Sequence, residues 1–267
     1  MVIGCVPYLN AKPLVEWFHT PEGEASGITV RYDVPSRLAQ MVETGEVACA
    51  LVSSVELFRH ADWVAVPRVA IASTGKVLSV RLFSKVPLHQ VRSVALDTSS
   101  LTSSALVRIL FARWWKGAPE YLPAQPDLQT MLQRADAALL IGDRGMFAPD
   151  EGLYVADLGE EWHRWTGLPF VWALWLGREE HVTPALVEAL QQAKGWGEEH
   201  LEQIVQREAQ RLGKHEDLIR HYLREVMQYE MTPAHEAALE RFAEECLRLG
   251  LIPFSYVKQA AGSASRL

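Results

Sequence analysis

Three short apolar runs, "MVIGCVP", "ITVRYDV" and "VACALVSS", alternate with two helix-like segments at the start of the chain. The middle run alternates apolar and polar residues as a strand does, and the outer two have the length and composition of buried strands. Between the second and third lies "PSRLAQMVETGE". It opens with Pro35 and Ser36, carries apolar Leu38, Met41 and Val42, and stops at Gly45, which are helix signals. "YLNAKPLVEWF" reads as a turn leading into a helix. Parallel strands need a crossover between them, usually a helix, and a parallel sheet needs cover on both faces. This order therefore predicts an α/β fold with a mainly parallel, covered sheet.

The alternation continues. "VLSVRLFSKVP" is the next extended run, "SVALDTSS" a strand before a helix over 104–115, "ADAALLIGD" (135–143) a buried strand, and "LPFVWALWL" (168–176) a run of strand formers. After Gly177 the chain turns to amphipathic helices. Thr183-Pro184 and Thr232-Pro233 read as starts, and Gly213 and Gly250 as stops. Two extended connectors, 83–87 and 175–178, are the expected crossings between lobes. They divide residues 1–84 plus 177–267, a discontinuous first lobe, from an inserted second lobe, 85–176.

At 267 residues the chain has room for two lobes of ordinary size. Its formal net charge of -7 argues against nucleic-acid or anionic-membrane partners, which call for basic patches. A small anion would then have to be captured by local dipoles and hydrogen bonds. Cys5, Cys49 and Cys246 are odd in number and far apart, which suggests neither a disulfide framework nor a zinc site, and they read as apolar fillers in a reducing compartment. No apolar run approaches the ~18 residues of a membrane span. The start lacks the basic and apolar regions of a signal peptide, so a cytoplasmic location is expected. A dinucleotide fingerprint, a P-loop, a GxSxG elbow and an HExxH motif are all missing, and the nine histidines are scattered, so no metal site is expected.

Open α/β sheets bind ligands beyond the carboxyl ends of their strands. Those positions hold Tyr8-Leu9-Asn10, then Ser53-Ser54, then the hydroxyl-rich run from Thr98 to Ser103, then Gly142-Asp143. These strand ends carry neutral hydrogen-bonding groups, with Asp143 the one charged residue and no Lys among them. Each also has an ordinary role: Asn10, Ser53, Ser54 and Asp143 would serve as helix caps, and Ser79 as a strand residue. Together they describe a cleft for a small polar anion, held by hydroxyls and free N–H groups at helix starts.

In chain order, "VPYLNAKPL", "ALVSSVELF", "ASTGKVLSVRLFS", "ALDTSSLTSSAL", "LLIGDRGM" and "DLGEEWHRWTGLPFVWALW" resemble the chorismate dehydratases of the futalosine route to menaquinone. The resemblance implies a two-lobed α/β fold like the type II periplasmic binding proteins, with a ligand cleft between lobes and a helical C-terminal region. It implies a cytoplasmic, cofactor-free enzyme that eliminates water from chorismate, a dicarboxylate, to give 3-[(1-carboxyvinyl)oxy]benzoate. Carried over by position, it puts Asn10 and Ser79 at the reacting centre. Ser99, Ser100, Thr102 and Ser103 would hold a carboxylate, Asp143 would support the site or bind a hydroxyl, and Phe170 and Trp172 would form an apolar wall. Tyr8, Ser53 and Ser54 complete the expected binding set.

The family often has Asp where this chain has Ala48, and Arg where it has Leu101. The second departure removes a cation but leaves the neighbouring hydroxyls. No protein base stands out, which makes the substrate's own enolpyruvyl carboxylate the expected proton acceptor. Two other readings stay open: a non-catalytic small-anion solute-binding protein, and the related naphthoate-forming enzyme of the same pathway, which a histidine base at the cleft would favour. Nothing in the sequence sets the oligomeric state.

Overall fold

A computed structural model of the chain describes residues 1–97 and 100–253. Strands β1 (Val2–Cys5), β2 (Thr29–Tyr32), β3 (Cys49–Ser53) and β4 (Trp63–Ser73) come first. Next are β5 (Arg81–Ser84), β6 (Ser93–Asp97), β7 (Glu120–Ala124), β8 (Ala137–Leu140) and β9 (Tyr154–Asp157). β10 (Phe170–Arg178) and the short β11 (Met227–Gln228) complete the set. They form two sheets, in the orders β11-β4-β10-β3-β1-β2 and β7-β6-β8-β5-β9.

Each sheet has a parallel core. β1 lies between β2 and β3 in the first, and β6 between β7 and β8 in the second. The expectation of parallel pairing holds for these cores. It does not extend to β10, which runs antiparallel to β3 and β4, or to β5, antiparallel to β8 and β9. β5 and β10 are the first strands after the chain passes from one sheet to the other, so each enters its sheet from the side where the two meet. The result is a two-lobed α/β architecture with the carboxyl ends of the parallel strands facing one another.

Sheet membership argues for earlier crossings than the connectors read from the sequence. Residues 81–84 already pair within the second sheet, and Trp175–Arg178 lie inside β10 of the first. We propose 74–80 and 167–169 as the crossings, between β4 and β5 and just before β10. The apolar character of "VLSVRLFS" runs through the first of these, which conceals it in the sequence. Residues 78–80 in that run are a bend rather than a strand, and Leu78 has φ 63°.

Helices α1 (Pro21–Ala25) and α2 (Pro35–Thr44) belong to the first lobe, and α2 ends at left-handed Gly45 as its stop signal predicts. The "YLNAKPL" segment is not an α-helix. It forms a tighter 3-10 turn over Leu9–Leu14, because Pro13 has no N–H and its ring obstructs a continuing α-helix. The second lobe carries α3 (Leu101–Ile109), α4 (Leu128–Arg134), α5 (Gly142–Phe147) and α6 (Leu158–Thr166). The helix expected over 104–115 starts three residues earlier and widens into a π-helical turn over Leu110–Trp115.

The C-terminal part is helical as read: α7 (Pro184–Glu199), α8 (Leu201–Leu212), α9 (Glu216–His221) and α10 (Pro233–Arg248). Thr183 caps α7, and Thr232 with His235 forms a capping box on α10. α7 presses directly on the 3-10 turn after β1. A Cβ on Gly197 would lie 1.8 Å from the Pro13 carbonyl oxygen, so this backbone approach admits only glycine. Among the described residues no helix is long and apolar enough to cross a membrane, and no group of three or more His, Cys, Asp or Glu could hold a metal ion.

Candidate functional site

Between the lobes lies a tight cavity of about 60 Å³, partly open to solvent, below the ~300–1,000 Å³ of small-molecule sites. Four parallel strands end on it. The turn after β1 contributes Tyr8 and Asn10, the end of β3 Ser53, the start of α3 Ser100, Thr102 and Ser103, and the residues after β8 Ile141 and Gly142. Ser79 from the first crossing and Trp172 from β10 join them, while Leu51, Val52, Ile71 and Val80 supply apolar surface. Among the described lining residues there is no Lys, Arg, His, Asp or Glu. Binding of an anion here would rest on neutral donors in a low-dielectric pocket, where each hydrogen bond is electrostatically stronger than in water.

Asn10 sits in the 3-10 turn after β1, and its side chain caps no helix. Its Oδ1 is buried and has no hydrogen-bond partner among the described residues. An unpaired buried amide oxygen costs ~1–3 kcal/mol, so it marks a position where a ligand's donor fits.

Ser79 is held from two sides. The buried Asp157 carboxylate accepts the Val77 N–H at 3.0 Å and the Leu78 N–H at 2.7 Å, fixing the bend that presents Ser79. The same carboxylate caps α6 through the Glu160 N–H. Burial holds the Asp157 carboxyl above its ordinary pKa, against the pull of these donors. From the opposite side the Tyr222 phenol donates to Ser79 Oγ at 2.8 Å. Neither Asp157 nor Tyr222 belongs to the expected site. Tyr222 is 143 positions from Ser79, and no local pattern links the two. Asp157 had a local signal, since an Asp before "LGEE" is a helix cap.

Two of the expected hydroxyls are already engaged across the gap between sheets. Thr102 Oγ1 accepts the Val55 N–H at 3.1 Å and lies 3.3 Å from Ser54 Oγ. Ser54 donates to the Val171 carbonyl at 2.7 Å and does not line the cavity. These bonds join the end of β3 to the start of α3. Ser100, by contrast, occupies the N-cap position of α3 without capping it, and Ser103 lies in the first turn. Ser99 and Thr98 lie outside the described residues.

Asp143 does not line the cavity either. It accepts the Leu9 N–H at 3.0 Å and lies 3.8 Å from Arg211 of α8, whose Nε donates to Glu208. It therefore ties α5 of the second lobe to the turn that bears Asn10. Burial raises its pKa above the ordinary carboxylate value, and the Leu9 N–H and Arg211 oppose that shift. Beside it, Gly142 has φ 59°, and a Cβ there would meet the Tyr8 ring at 3.2 Å. Phe170 is buried behind the wall, its ring centroid 4.4 Å from Trp172 and 5.1 Å from Phe242. Trp172 faces the cavity, with its Nε1 donating to Ser73 Oγ at 2.9 Å.

A menaquinone-biosynthesis family model matches residues 1–248. The chain is 35% identical to a chorismate dehydratase of Thermus thermophilus, covering 96% of this chain and 98% of the relative. A chorismate dehydratase of Campylobacter jejuni is 25% identical, over 94% of this chain and all of the relative. Among solved structures, a protein from Archaeoglobus fulgidus aligns with TM-score 0.78 at 17% identity, covering 94% of this chain and 98% of that one. The periplasmic aliphatic sulphonate binding protein of Escherichia coli aligns with TM-score 0.65 at 16% identity, over 95% and 88%. These structural likenesses establish the periplasmic-binding-protein-like fold.

Proposed function

This chain belongs to the menaquinone-biosynthesis family, and we propose that it acts there as a chorismate dehydratase, a hydro-lyase giving 3-[(1-carboxyvinyl)oxy]benzoate and water. The observation that carries the reading is the cavity between the lobes. It is apolar and free of ionisable acid–base side chains other than Tyr8 among its described lining residues, and it holds an unpaired Asn10 oxygen together with Ser79. The two relatives named as chorismate dehydratases align over nearly the whole chain, which favours an enzyme over a solute-binding protein of the same fold. A naphthoate-forming reaction built on a histidine base finds no histidine among the described residues of the cavity wall.

The reaction asks little acid–base chemistry of the protein. A ring C–H bond and the ring C–OH bond break, a new ring double bond makes the product aromatic, and the departing proton and hydroxide leave as water. Gain of aromaticity supplies the driving force, so the protein's work is orientation and electrostatic support. Asn10 Oδ1 accepts a hydrogen bond from the substrate, and Ser79 supports the departing oxygen. Ser100, Ser103 and the first N–H groups of α3 hold a carboxylate, with Ser53 and Tyr8 beside them. Trp172 covers the ring. Asp143 and Phe170 act through Leu9 and Trp172 rather than by contact, and Thr102 and Ser54 join the lobes. The enolpyruvyl carboxylate of the substrate accepts the ring proton. A biosynthetic role and three free, buried cysteines support the cytoplasmic placement.

The test is direct. Purified protein mixed with chorismate should give an aromatic product lighter by one water, read by mass spectrometry and ultraviolet absorbance. A chorismate spectrum unchanged over hours at high enzyme concentration contradicts the proposal.

A further inference from the structure

Ser79 and Asn10 carry side chains whose hydrogen bonds can run in either sense. A hydroxyl both donates and accepts, and an amide presents an oxygen or an NH2. A site built on such groups needs something to fix which end faces the ligand. Tyr222 stands where it can do so. It lies on the C-terminal side of the chain, where α9 widens into a π-helical turn over Tyr222–Val226. Single π turns are rare and frequent at functional sites. The ring is almost fully buried, at 1% exposure, and its hydroxyl reaches Ser79 Oγ at 2.8 Å. Asn10 lies beside the same phenol, and with its Oδ1 buried and unpaired among the described residues the group it turns to the phenol is its NH2.

Resting on the dehydratase reading, we propose that Tyr222 is a positioning residue that fixes the hydrogen-bond sense of both reacting-centre side chains. Its one proton lies on Ser79 Oγ, so the Ser79 proton is turned away from the phenol and toward the cavity. Its oxygen receives the Asn10 NH2, so Asn10 meets the ligand through Oδ1. Ser79 is thereby a donor, suited to an oxygen gaining negative charge as its C–O bond breaks. Asn10 is an acceptor, suited to a substrate O–H. Burial pushes the phenol pKa far up, so the arrangement persists through the neutral and mildly alkaline range. A substrate analogue with an ether in place of the hydroxyl met by Asn10 would leave two acceptors facing each other, which makes the arrangement selective as well as catalytic.

Three variants test this: Tyr222→Phe, Ser79→Ala and the double substitution, with chorismate turnover as readout. Tyr222→Phe keeps the ring and is expected to lower kcat about 10- to 100-fold with KM within about threefold. The losses should not multiply: the double variant should be slower than Ser79→Ala alone only by the share that Tyr222 exerts through Asn10. A kcat within twofold of wild type for Tyr222→Phe, or losses that multiply in the double variant, overturns the proposal. A second measurement does not depend on turnover or on the Phe variant folding. In proton NMR of the wild-type protein, the buried Tyr222 hydroxyl should give a slowly exchanging resonance that moves and exchanges faster in Ser79→Ala. The absence of that response overturns the proposal even if the protein dehydrates chorismate. A wild-type protein inert toward chorismate contradicts the dehydratase reading, while the hydroxyl resonance still decides the Tyr222 link.

Discussion

Replacing Thr102 by Val keeps the shape of a side chain that is almost fully buried and removes only its hydroxyl. That hydroxyl accepts the Val55 N–H at 3.1 Å and lies 3.3 Å from Ser54 Oγ, joining the end of β3 to the start of α3. With the lobes together, the variant leaves a buried N–H unsatisfied, at a cost of ~1–3 kcal/mol. With the lobes apart, water satisfies the same N–H and the cost disappears. The substitution therefore weighs on lobe closure rather than on folding. If substrate binds the closed form, apparent affinity falls with the population of that form, by up to about 5- to 150-fold. The expected result is a KM raised within that range, kcat within about threefold of wild type and a urea midpoint nearly unchanged. Steady-state kinetics on chorismate with an unfolding curve read all three. An unchanged KM with a collapsed kcat would refute the reasoning, because Thr102 would then act on the reacting atoms.

Three further outcomes follow from the geometry. Asn10→Ala should lower kcat far more than it alters KM, whereas Ser100→Ala should chiefly raise KM, and steady-state kinetics showing the reverse would exchange their roles. Gly142→Ala places a Cβ 3.2 Å from the Tyr8 ring at a φ of 59°. It should destabilise the protein by ~1–2 kcal/mol and weaken substrate binding, as measured by thermal unfolding and KM. Asp143 has a native pKa raised above its ordinary 3.8, so the folded state holds this proton more tightly than the unfolded chain. Its contribution to stability should fall as pH rises from 3.8 through the native value and then level off. Relative to wild type, Asp143→Asn should gain stability across that window and remain parallel above it, in urea unfolding at a series of pH values.

The parallel cores and the four strand ends were legible because each depends on short-range pattern: apolar runs of strand length, helix stops and hydroxyls after strands. Tyr8, Asn10, Ser53, Ser100, Thr102 and Ser103 reach the cavity because the carboxyl ends of parallel strands share one side of a sheet, and Ser79 from the first crossing and Trp172 from antiparallel β10 join them. What stayed hidden depends on longer-range physics. Asp143, expected to support the site or bind a hydroxyl, is turned to a backbone N–H of the other lobe, a partner no local pattern shows. Phe170 is two residues before Trp172, but the pairing shifts between Val171 and Ala173, and Phe170 is enclosed by the rings of Trp162 and Phe242. β4 was hidden by Pro67 and Arg68, the latter left-handed at φ 66°, which interrupt the strand. Prolines are tolerated where no neighbour needs the N–H. Tyr222 could not be found from sequence pattern, since it reaches Ser79 only after the C-terminal helices fold back onto the first lobe.

The central claim is that this cavity performs an elimination without an ionisable protein base, and the pH dependence of kcat tests it most directly. Both carboxylates of the substrate are ionised above about pH 6. The account predicts a kcat that is flat between about pH 6 and 9. A limb near neutrality would contradict it, for it would place a titrating protein group at the reacting centre.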